Sequence, residues 1–186
     1  MKLLFHCCCA PCAFSPAESL RAEGVEPTLF WYNPNIHPSG EYAGRRDSLL
    51  AFAAAGNFPV LGTDSEGGWY GLYGFFRGLG GETEAGKRCP ACYRLRLERT
   101  AAQAAALGFD AFSTSLLISP YQNHDAIRET ACRLADGYGV EFLYRDFRPM
   151  FRESQKRARE AGLYMQKYCG CIFSEADREA QKAGRR

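Results

Sequence analysis

Short apolar runs separated by helical patterns determine the predicted organisation of this chain. Leu3-Leu4-Phe5 and residues 28–32 are nearly continuous apolar runs, as expected for strands that are buried on both faces of a sheet. Three further runs have a similar character. The five predicted strands are 2–6, 28–32, 59–62, 111–117 and 140–144.

Apolar positions recur at helical spacing between these strands. Ile127, Ala131 and Leu134, for example, fall on one face of a helix that Asn123 can cap. Helices are predicted at 13–21, 41–55, 87–107, 123–138 and 152–161, with a charged helix at the end of the chain. Strands that alternate with helices are typical of a parallel sheet covered by helices. We therefore predict a single α/β domain, residues 1–186, with about five parallel strands and a C-terminal helical segment carrying Cys169-Gly170-Cys171.

Composition indicates where such a domain works. No apolar run in the 186 residues approaches membrane-spanning length, and the three apolar residues before His6 are too few for a signal-peptide core. We expect a soluble, cytoplasmic protein with no membrane partner. The chain has nine cysteines, and cytosolic thiols are kept reduced. Metal binding or redox chemistry is therefore favoured over a structural disulfide framework.

The net charge of +2 is unevenly distributed. Residues 141–186 contain eleven Lys and Arg against seven Asp and Glu. This surplus has two interpretations, a solvated helix face or contact with a polyanion. The predicted helix 152–161 carries Arg157 and Arg159, which are our candidates for phosphate contacts.

Four of the nine cysteines lie within six residues, directly after the first predicted strand. They are Cys7, Cys8, Cys9 and Cys12, and Pro11 between them suits the first turn of a helix. The thiols would thus lie where the first strand ends and the first helix begins. Ligands bind at this edge of an open α/β sheet, and a helix N-terminus favours the thiolate over the thiol.

A second group, Cys89-Pro90-Ala91-Cys92, lies at the start of a predicted helix. This spacing lets two sulfurs converge on one metal or form a disulfide. Both groups are predicted at loop–helix junctions, and such junctions share one edge of a parallel sheet. Cys8 and Cys9 with Cys89 and Cys92 would therefore make a four-thiolate site. Zinc and iron–sulfur clusters both use such a site, and the surplus of further thiols favours the cluster.

The third group, Cys169-Gly170-Cys171, has one residue between its thiols. The flexible glycine permits a small, strained disulfide ring, and strained disulfides are the labile, catalytic ones. Two unrelated thiols are the alternative. Cys12 faces the same turn as Cys9 and could bind a second metal, whereas Cys132 fits a packed core thiol.

Several motifs in order along the chain resemble one family, the smaller, cobalamin-independent epoxyqueuosine reductases. The resemblance rests on His6-Cys7-Cys8-Cys9-Ala10-Pro11-Cys12, Tyr32-Asn33-Pro34-Asn35-Ile36-His37-Pro38, Arg88-Cys89-Pro90-Ala91-Cys92-Tyr93 and Tyr168-Cys169-Gly170-Cys171. It implies a fold similar to adenine-nucleotide alpha-hydrolase-like domains. Cysteines occupy the place of the phosphate-binding loop that such domains carry after the first strand, so we do not expect ATP use.

The resemblance also implies an activity, the reduction of epoxyqueuosine to queuosine at the wobble position of a tRNA anticodon. It implies a [4Fe-4S] cluster on Cys8, Cys9, Cys89 and Cys92, and a redox-active pair at Cys169 and Cys171. A second, mononuclear iron is implied beside the cluster. Cys12 and the Cys169/Cys171 pair are its candidate ligands, so two roles compete for that pair. The electron donor is not identified.

A base must leave the anticodon stack to reach such a site, and aromatic side chains often hold unstacked bases. We predict an irregular helix over the site at 66–81, whose aromatics would form either a stacking wall or core: Trp69, Tyr70, Tyr73, Phe75 and Phe76. His37, in a loop bounded by prolines, is a candidate to reach the substrate. The alternative functions are a zinc-binding RNA-binding module and a thiol–disulfide oxidoreductase that uses Cys89 and Cys92.

Overall fold

Five parallel strands form one sheet in the computed structural model, which describes residues 1–62 and 69–184, with the backbone alone at residues 69 and 70. In this part of the chain the strand order is β3-β2-β1-β4-β5. The strands are β1 (Lys2–His6), β2 (Glu26–Phe30), β3 (Val60–Leu61), β4 (Ala111–Thr114) and β5 (Glu141–Phe142). The predicted α/β class with a five-stranded parallel sheet is confirmed.

Helices flank this sheet in two groups. One group packs α1 against α2 and α6, and the other packs α4 against α3 and α5. The helices are α1 (Ala10–Ala22), α2 (Ser39–Gly56), α3 (Trp69–Leu79), α4 (Ala85–Ala106), α5 (His124–Tyr138), α6 (Phe151–Glu160) and α7 (Ile172–Ala183). No helix among the described residues has the length and apolar character needed to cross a bilayer.

The central strand β1 is covered on both faces. Leu3, Leu4 and Phe5 are completely buried, which explains why their run does not alternate with polar residues. Each such side chain contributes roughly 1.5–3 kcal/mol by leaving water. His6 continues the strand, and its ring nitrogens are held by Thr114 Oγ1 at 2.9 Å and the carbonyl of Tyr32 at 3.1 Å. Because a carbonyl only accepts, Nε2 donates to Tyr32 and Nδ1 accepts from the Thr114 hydroxyl.

Several element boundaries differ from the prediction, and the fourth strand shows why. A strand was expected over 111–117, but β4 ends at Thr114 and a 3₁₀ turn follows at Ser115–Ile118. The Thr114 side chain accepts a hydrogen bond from the backbone N–H of Leu116 and so caps this turn. The apolar run continues because the turn is also buried. Residues 69–79 form a regular helix rather than an irregular one, while 63–68 lie outside the described residues.

Candidate active site

Three thiols converge at the junction of β1 and α1. The Sγ atoms of Cys8, Cys9 and Cys12 lie within 4.8 Å of one another, and all three residues are buried. The chain turns here because the Cys7 N–H still pairs with β2, through the Phe30 carbonyl, while the extended Cys9 precedes the first turn of α1. Within the described part of the chain, this is a group of three ligands close enough to hold one metal ion.

Negative charge in this group is concentrated on Cys8. Hydrogen bonds from the thiols of Cys12 and Cys9, and from the Ser115 hydroxyl at 3.5 Å, lower the pKa of Cys8. The pKa of Cys9 is raised by burial, and that of Cys12 by its hydrogen bond to Cys8. One thiolate that accepts from two neighbouring thiols is the arrangement that these contacts favour.

Four more thiols line a narrow cavity beside this junction. They are Cys89, Cys92, Cys169 and Cys171. Cys89 and Cys92 lie one turn inside α4 rather than at its start, and the other two precede α7. Burial raises the pKa of Cys92 to about 12 and also raises that of Cys89. All nine cysteines are free, and no disulfide joins Cys169 to Cys171.

A wider cavity of about 320 Å³ connects the two sulfur groups. Cys8 and Cys12 lie in its wall, and Cys169 and Gln122 line both this cavity and the narrow one. Seven thiols thus lie at the β1–α1 junction or in the walls of these two cavities. The structure groups Cys8 and Cys9 most closely with Cys12, and it places Cys89 and Cys92 with the Cys169/Cys171 pair. Which four hold a cluster stays a prediction.

A buried cation lies among these sulfurs. The Arg96 side chain on α4 is 1% exposed, and its Nε donates to the Cys92 carbonyl at 3.2 Å. Within residues 1–62 and 69–184, no carboxylate forms an ion pair with it, and the thiols of Cys92, Cys169 and Cys8 hold its pKa above the ordinary value despite burial. A buried guanidinium requires a neighbouring negative charge. Arg96 is therefore suited to a site whose sulfurs carry negative charge when they bind a metal group.

A second buried arginine positions the segment before α7. Arg45 on α2 donates to the carbonyls of Tyr168 at 2.9 Å and Cys169 at 3.0 Å, while Glu41 holds it from the other side at 2.7 Å. Gly170 follows with a φ of +125°, and a Cβ there would lie 3.1 Å from the Arg45 Nη1. Glycine is needed at this position for its backbone conformation and for this close approach.

His37 contributes to the same segment mainly through its backbone. Its N–H donates to the Gly170 carbonyl at 2.8 Å, and its own carbonyl accepts from the Tyr168 hydroxyl. The imidazole Nδ1 lies 3.5 Å from the Glu175 carboxylate on α7, a contact without hydrogen-bond alignment. The structure thus places His37 as a support for the cysteine pair, and its predicted contact with substrate stays a prediction.

The two predicted phosphate contacts on α6 differ from each other. Arg157 forms an ion pair with Glu18 on α1, and its guanidinium lies 4.6 Å from the ring centroid of Phe14. It therefore holds α6 against α1. Arg159 is exposed. The other side of α6 reaches the wide cavity through Phe151 and Gln155.

Among the described side chains, the aromatics that line the wide cavity do not include Tyr73, Phe75 or Phe76 of the predicted stacking wall. Phe75 is buried against Cys92 and Cys171, and the side chains of Trp69 and Tyr70 lie outside the described residues. At the cavity, Tyr121 is 84% exposed, and its ring meets Phe151 edge to face with centroids 6.0 Å apart. The sequence signal for Tyr121 was its place in a loop soon after the fourth strand, at the carboxyl edge of the sheet.

Three polar residues near the sulfurs had no role in the sequence-based prediction, Arg96, Gln122 and Gln166. Gln122 Nε2 lies 3.7 Å from Cys169 Sγ and its Oε1 accepts from the Tyr93 hydroxyl at 2.7 Å. Gln166 Nε2 lies 2.9 Å from Cys9 Sγ and 3.4 Å from Cys12 Sγ. Neither glutamine belongs to a motif with recognisable spacing, so no sequence signal distinguished them.

Comparison with known proteins shows a structure of similar fold and relatives of similar sequence. The solved structure of a predicted subunit of tRNA methyltransferase from Methanocaldococcus jannaschii matches 86% of this chain and 76% of its own, with a TM-score of 0.55. At 12% identity this likeness shows the fold alone, and it agrees with the predicted fold class.

Other proteins share more of their sequence with this chain than this structural neighbour does. An epoxyqueuosine reductase QueH of Dehalococcoides mccartyi is 36% identical over 95% of this chain and 94% of its own length. The protein of the same name from Thermotoga maritima is 34% identical over 97% and 94%. A family model described as epoxyqueuosine reductase QueH matches residues 3–177. The resemblance expected from the motifs is confirmed. The chain therefore belongs to the epoxyqueuosine reductase QueH family.

Proposed function

We propose that this site reduces the epoxide of epoxyqueuosine in tRNA to give queuosine, using a [4Fe-4S] cluster and a redox-active cysteine pair. The observation that carries the proposal is the set of seven thiols at the β1–α1 junction and in the walls of two adjoining cavities, with the buried cation Arg96 in the wall of the narrower one. The family membership supports the reaction, since oxidoreductases of this family are named for it. The chain would act in the cytoplasm, where its free thiols stay reduced.

The donor set fits a cluster held by thiolates. Cys8 and Cys9 from the β1–α1 junction and Cys89 and Cys92 from α4 are the proposed ligands, because thiolates are the usual ligands of iron–sulfur clusters. Arg96 supports this assignment, since its charge offsets an anionic sulfur set in a buried place. Zinc would satisfy the same four thiolates. Three further thiols nearby exceed what a structural zinc needs.

The reaction needs two electrons. Opening the epoxide to an alkene breaks two C–O bonds, takes up two electrons and two protons, and releases water. A cluster of this kind supplies electrons one at a time. The Cys169/Cys171 dithiol can supply both electrons and both protons when it oxidises to a disulfide, and an unidentified donor would restore it. Cys12, together with that pair, is the proposed binding place of a second iron if the pair instead ligates metal.

The wide cavity is the proposed place for the modified base. Its volume of about 320 Å³ lies at the lower end of the range of small-molecule sites. Tyr121 at the rim offers an exposed ring to a base that has left the anticodon stack. Exposed Arg159 on α6 lies on the helix that also forms the cavity wall and would contact the tRNA backbone.

Anaerobic purification and turnover test this function directly. We expect a brown protein with about four iron and four sulfide ions per chain, as a [4Fe-4S] cluster requires. With dithionite as reductant, it should convert epoxyqueuosine-tRNA to queuosine-tRNA, measured by mass spectrometry of digested nucleosides. A colourless preparation with stoichiometric zinc, no iron and no turnover would refute the proposal and favour the zinc-binding RNA module.

The third candidate, a metal-free thiol–disulfide oxidoreductase, has less support in the structure. A nucleophilic thiol of a C-x-x-C motif is exposed and has a lowered pKa. Cys92 is buried with a pKa raised to about 12, and burial raises that of Cys89 as well. Rapid reduction of insulin disulfides by the metal-free protein would favour this candidate.

A further inference from the structure

Gln166 connects one sulfur group to the substrate cavity. It lies in the segment between α6 and α7, in the wall of the wide cavity. Its amide Nε2 lies 2.9 Å from Cys9 Sγ and 3.4 Å from Cys12 Sγ, so its two N–H groups can serve two sulfurs. Cys9 and Cys12 are 157 and 154 residues away along the chain, so this contact depends on the complete fold.

The other end of the same amide has no partner. Gln166 Oε1 is buried, and among the described residues nothing donates a hydrogen bond to it. Buried carbonyl oxygens are rarely left unpaired in native proteins. Gln166 itself lines the cavity, so a small shift of its side chain when a ligand binds would give this oxygen a donor. The amide therefore contacts sulfur through its nitrogen, while its oxygen is buried without a donor.

We propose that Gln166 is a positioning residue that acts on the sulfurs and on the substrate together. Its N–H groups donate to the sulfurs of Cys9 and Cys12, and its Oε1 accepts a hydrogen bond from an O–H or N–H group of the bound nucleoside. This inference rests on the proposed function, because it takes Cys9 as a cluster ligand. Hydrogen bonds to ligand sulfurs are among the determinants of cluster potential, and contacts of this kind orient the ligands.

An amide group can both donate to sulfur and accept from the nucleoside, and the variants are chosen to remove one or both of these abilities. Gln166→Leu removes the donors and the acceptor, whereas Gln166→Glu keeps the shape but has no donor to give to sulfur. Gln155 is a matched control for the potential. It lines the same cavity, but its Nε2 contacts the Pro11 carbonyl at 3.5 Å and no sulfur contact is formed.

The test is a reduction potential measured by spectroscopically monitored titration of the anaerobically loaded proteins. We expect both Gln166 variants to have a more negative potential than the wild type, while Gln155→Leu keeps the wild-type value. The KM for epoxyqueuosine-tRNA should rise about tenfold in Gln166→Leu, the effect of losing one hydrogen bond to the substrate. Thermal melts establish that each variant is folded.

Two results would overturn the inference, and they are distinct from failure of the proposed function. If the wild type holds iron and turns over substrate but the Gln166 variants share its potential and KM, Gln166 has no such role. If the wild type takes up no iron, the proposed function fails, and Co²⁺ titration of the reduced protein then tests the contact with sulfur. Weaker Co²⁺ binding in Gln166→Leu than in Gln155→Leu supports it, and equal binding overturns it.

Discussion

Gly170 shows how one residue determines the place of two others. Its φ of +125° is a conformation that residues with a side chain rarely adopt, and an added Cβ would lie 3.2 Å from Ile36 Cγ1 as well as close to Arg45. Both neighbours are buried, so they have little room to move. The carbonyls of Cys169 and Tyr168 depend on the same arginine. Strain at Gly170 is therefore transmitted to the cysteine pair.

We predict that Gly170→Ala lowers turnover of epoxyqueuosine-tRNA and destabilises the protein by about 1–3 kcal/mol, the usual cost of a residue in such a conformation. Denaturant unfolding and nucleoside analysis measure the two effects. Gly184→Ala is the control, because Gly184 has an ordinary backbone and its nearest neighbour would be 3.7 Å from the new Cβ. Equal behaviour of the two variants would contradict the role given to Gly170.

The high solvent exposure of Tyr121 suggests that its ring serves binding rather than stability. An aromatic ring that is 84% exposed gains little from the fold, yet it meets Phe151 at the rim of the wide cavity. We predict that Tyr121→Ala weakens binding of an epoxyqueuosine-containing anticodon stem–loop by about tenfold, within the range for loss of one stacked base. Tyr121→Phe should bind normally. Fluorescence anisotropy measures both.

Tyr138 supplies the control for this prediction. It is also exposed, at the C-terminal end of α5, away from the residues that line the cavity. Tyr138→Ala should therefore leave the affinity unchanged. A similar loss in the Tyr138 and Tyr121 variants, or none in either, would remove the reason for placing the base against Tyr121.

At the scale of the element, one side of α6 packs against α1 and another side lines the wide cavity. Arg157 joins it to Glu18 and Phe14 of α1, and Phe151 and Gln155 face the cavity. Sequence alone gave Arg157 and Arg159 the same role, because both are basic residues on one predicted helix. Only the position of α1 separates them.

We predict that charge reversal affects tRNA binding at Arg159 and protein stability at Arg157. Arg159→Glu should weaken tRNA binding and reduce the slope of log affinity against log salt by about one, with no change in melting temperature. Arg157→Glu should lower the melting temperature, because it places a carboxylate beside Glu18. Binding measured across a salt series and thermal melts of both variants make the comparison. A salt slope unchanged by Arg159→Glu would refute the proposed phosphate contact.

At the scale of the whole molecule, the sequence predicts the cysteine groups of the site better than it predicts the polar residues around them. The alternation of strands and helices places the ends of several elements at one edge of the sheet, so cysteine groups near that edge could be predicted. The close grouping of Cys8 and Cys9 with Cys12 could not be predicted in the same way. Arg96 and Gln166 could not be predicted either. An arginine within a helix and a glutamine in a loop form no motif with recognisable spacing. The role of each depends on sulfurs that come near it only when the chain folds.

The thiol groups also connect parts of the chain that are distant in sequence, the β1–α1 junction, α4 and the segment before α7. A metal group bound across the first two would stabilise the folded state, since the unfolded chain has no preformed site. We predict that removing iron with a chelator under anaerobic conditions lowers the melting temperature. Arg96→Met should then destabilise the iron-loaded protein by about 3–5 kcal/mol, the cost of breaking a buried charge pair. The metal-free, reduced protein should lose much less.

The difference between the two forms is the informative quantity, because it isolates the interaction of Arg96 with a bound anionic group from its packing. Arg94→Met, at an exposed neighbouring position paired with Glu98, serves as the control and should change neither form appreciably. Denaturant unfolding of loaded and stripped proteins gives all six stabilities. An equal loss in both forms of Arg96→Met would mean that the guanidinium supports the fold without reference to a metal group. The main structural support for an iron–sulfur site among these thiols would then be lost.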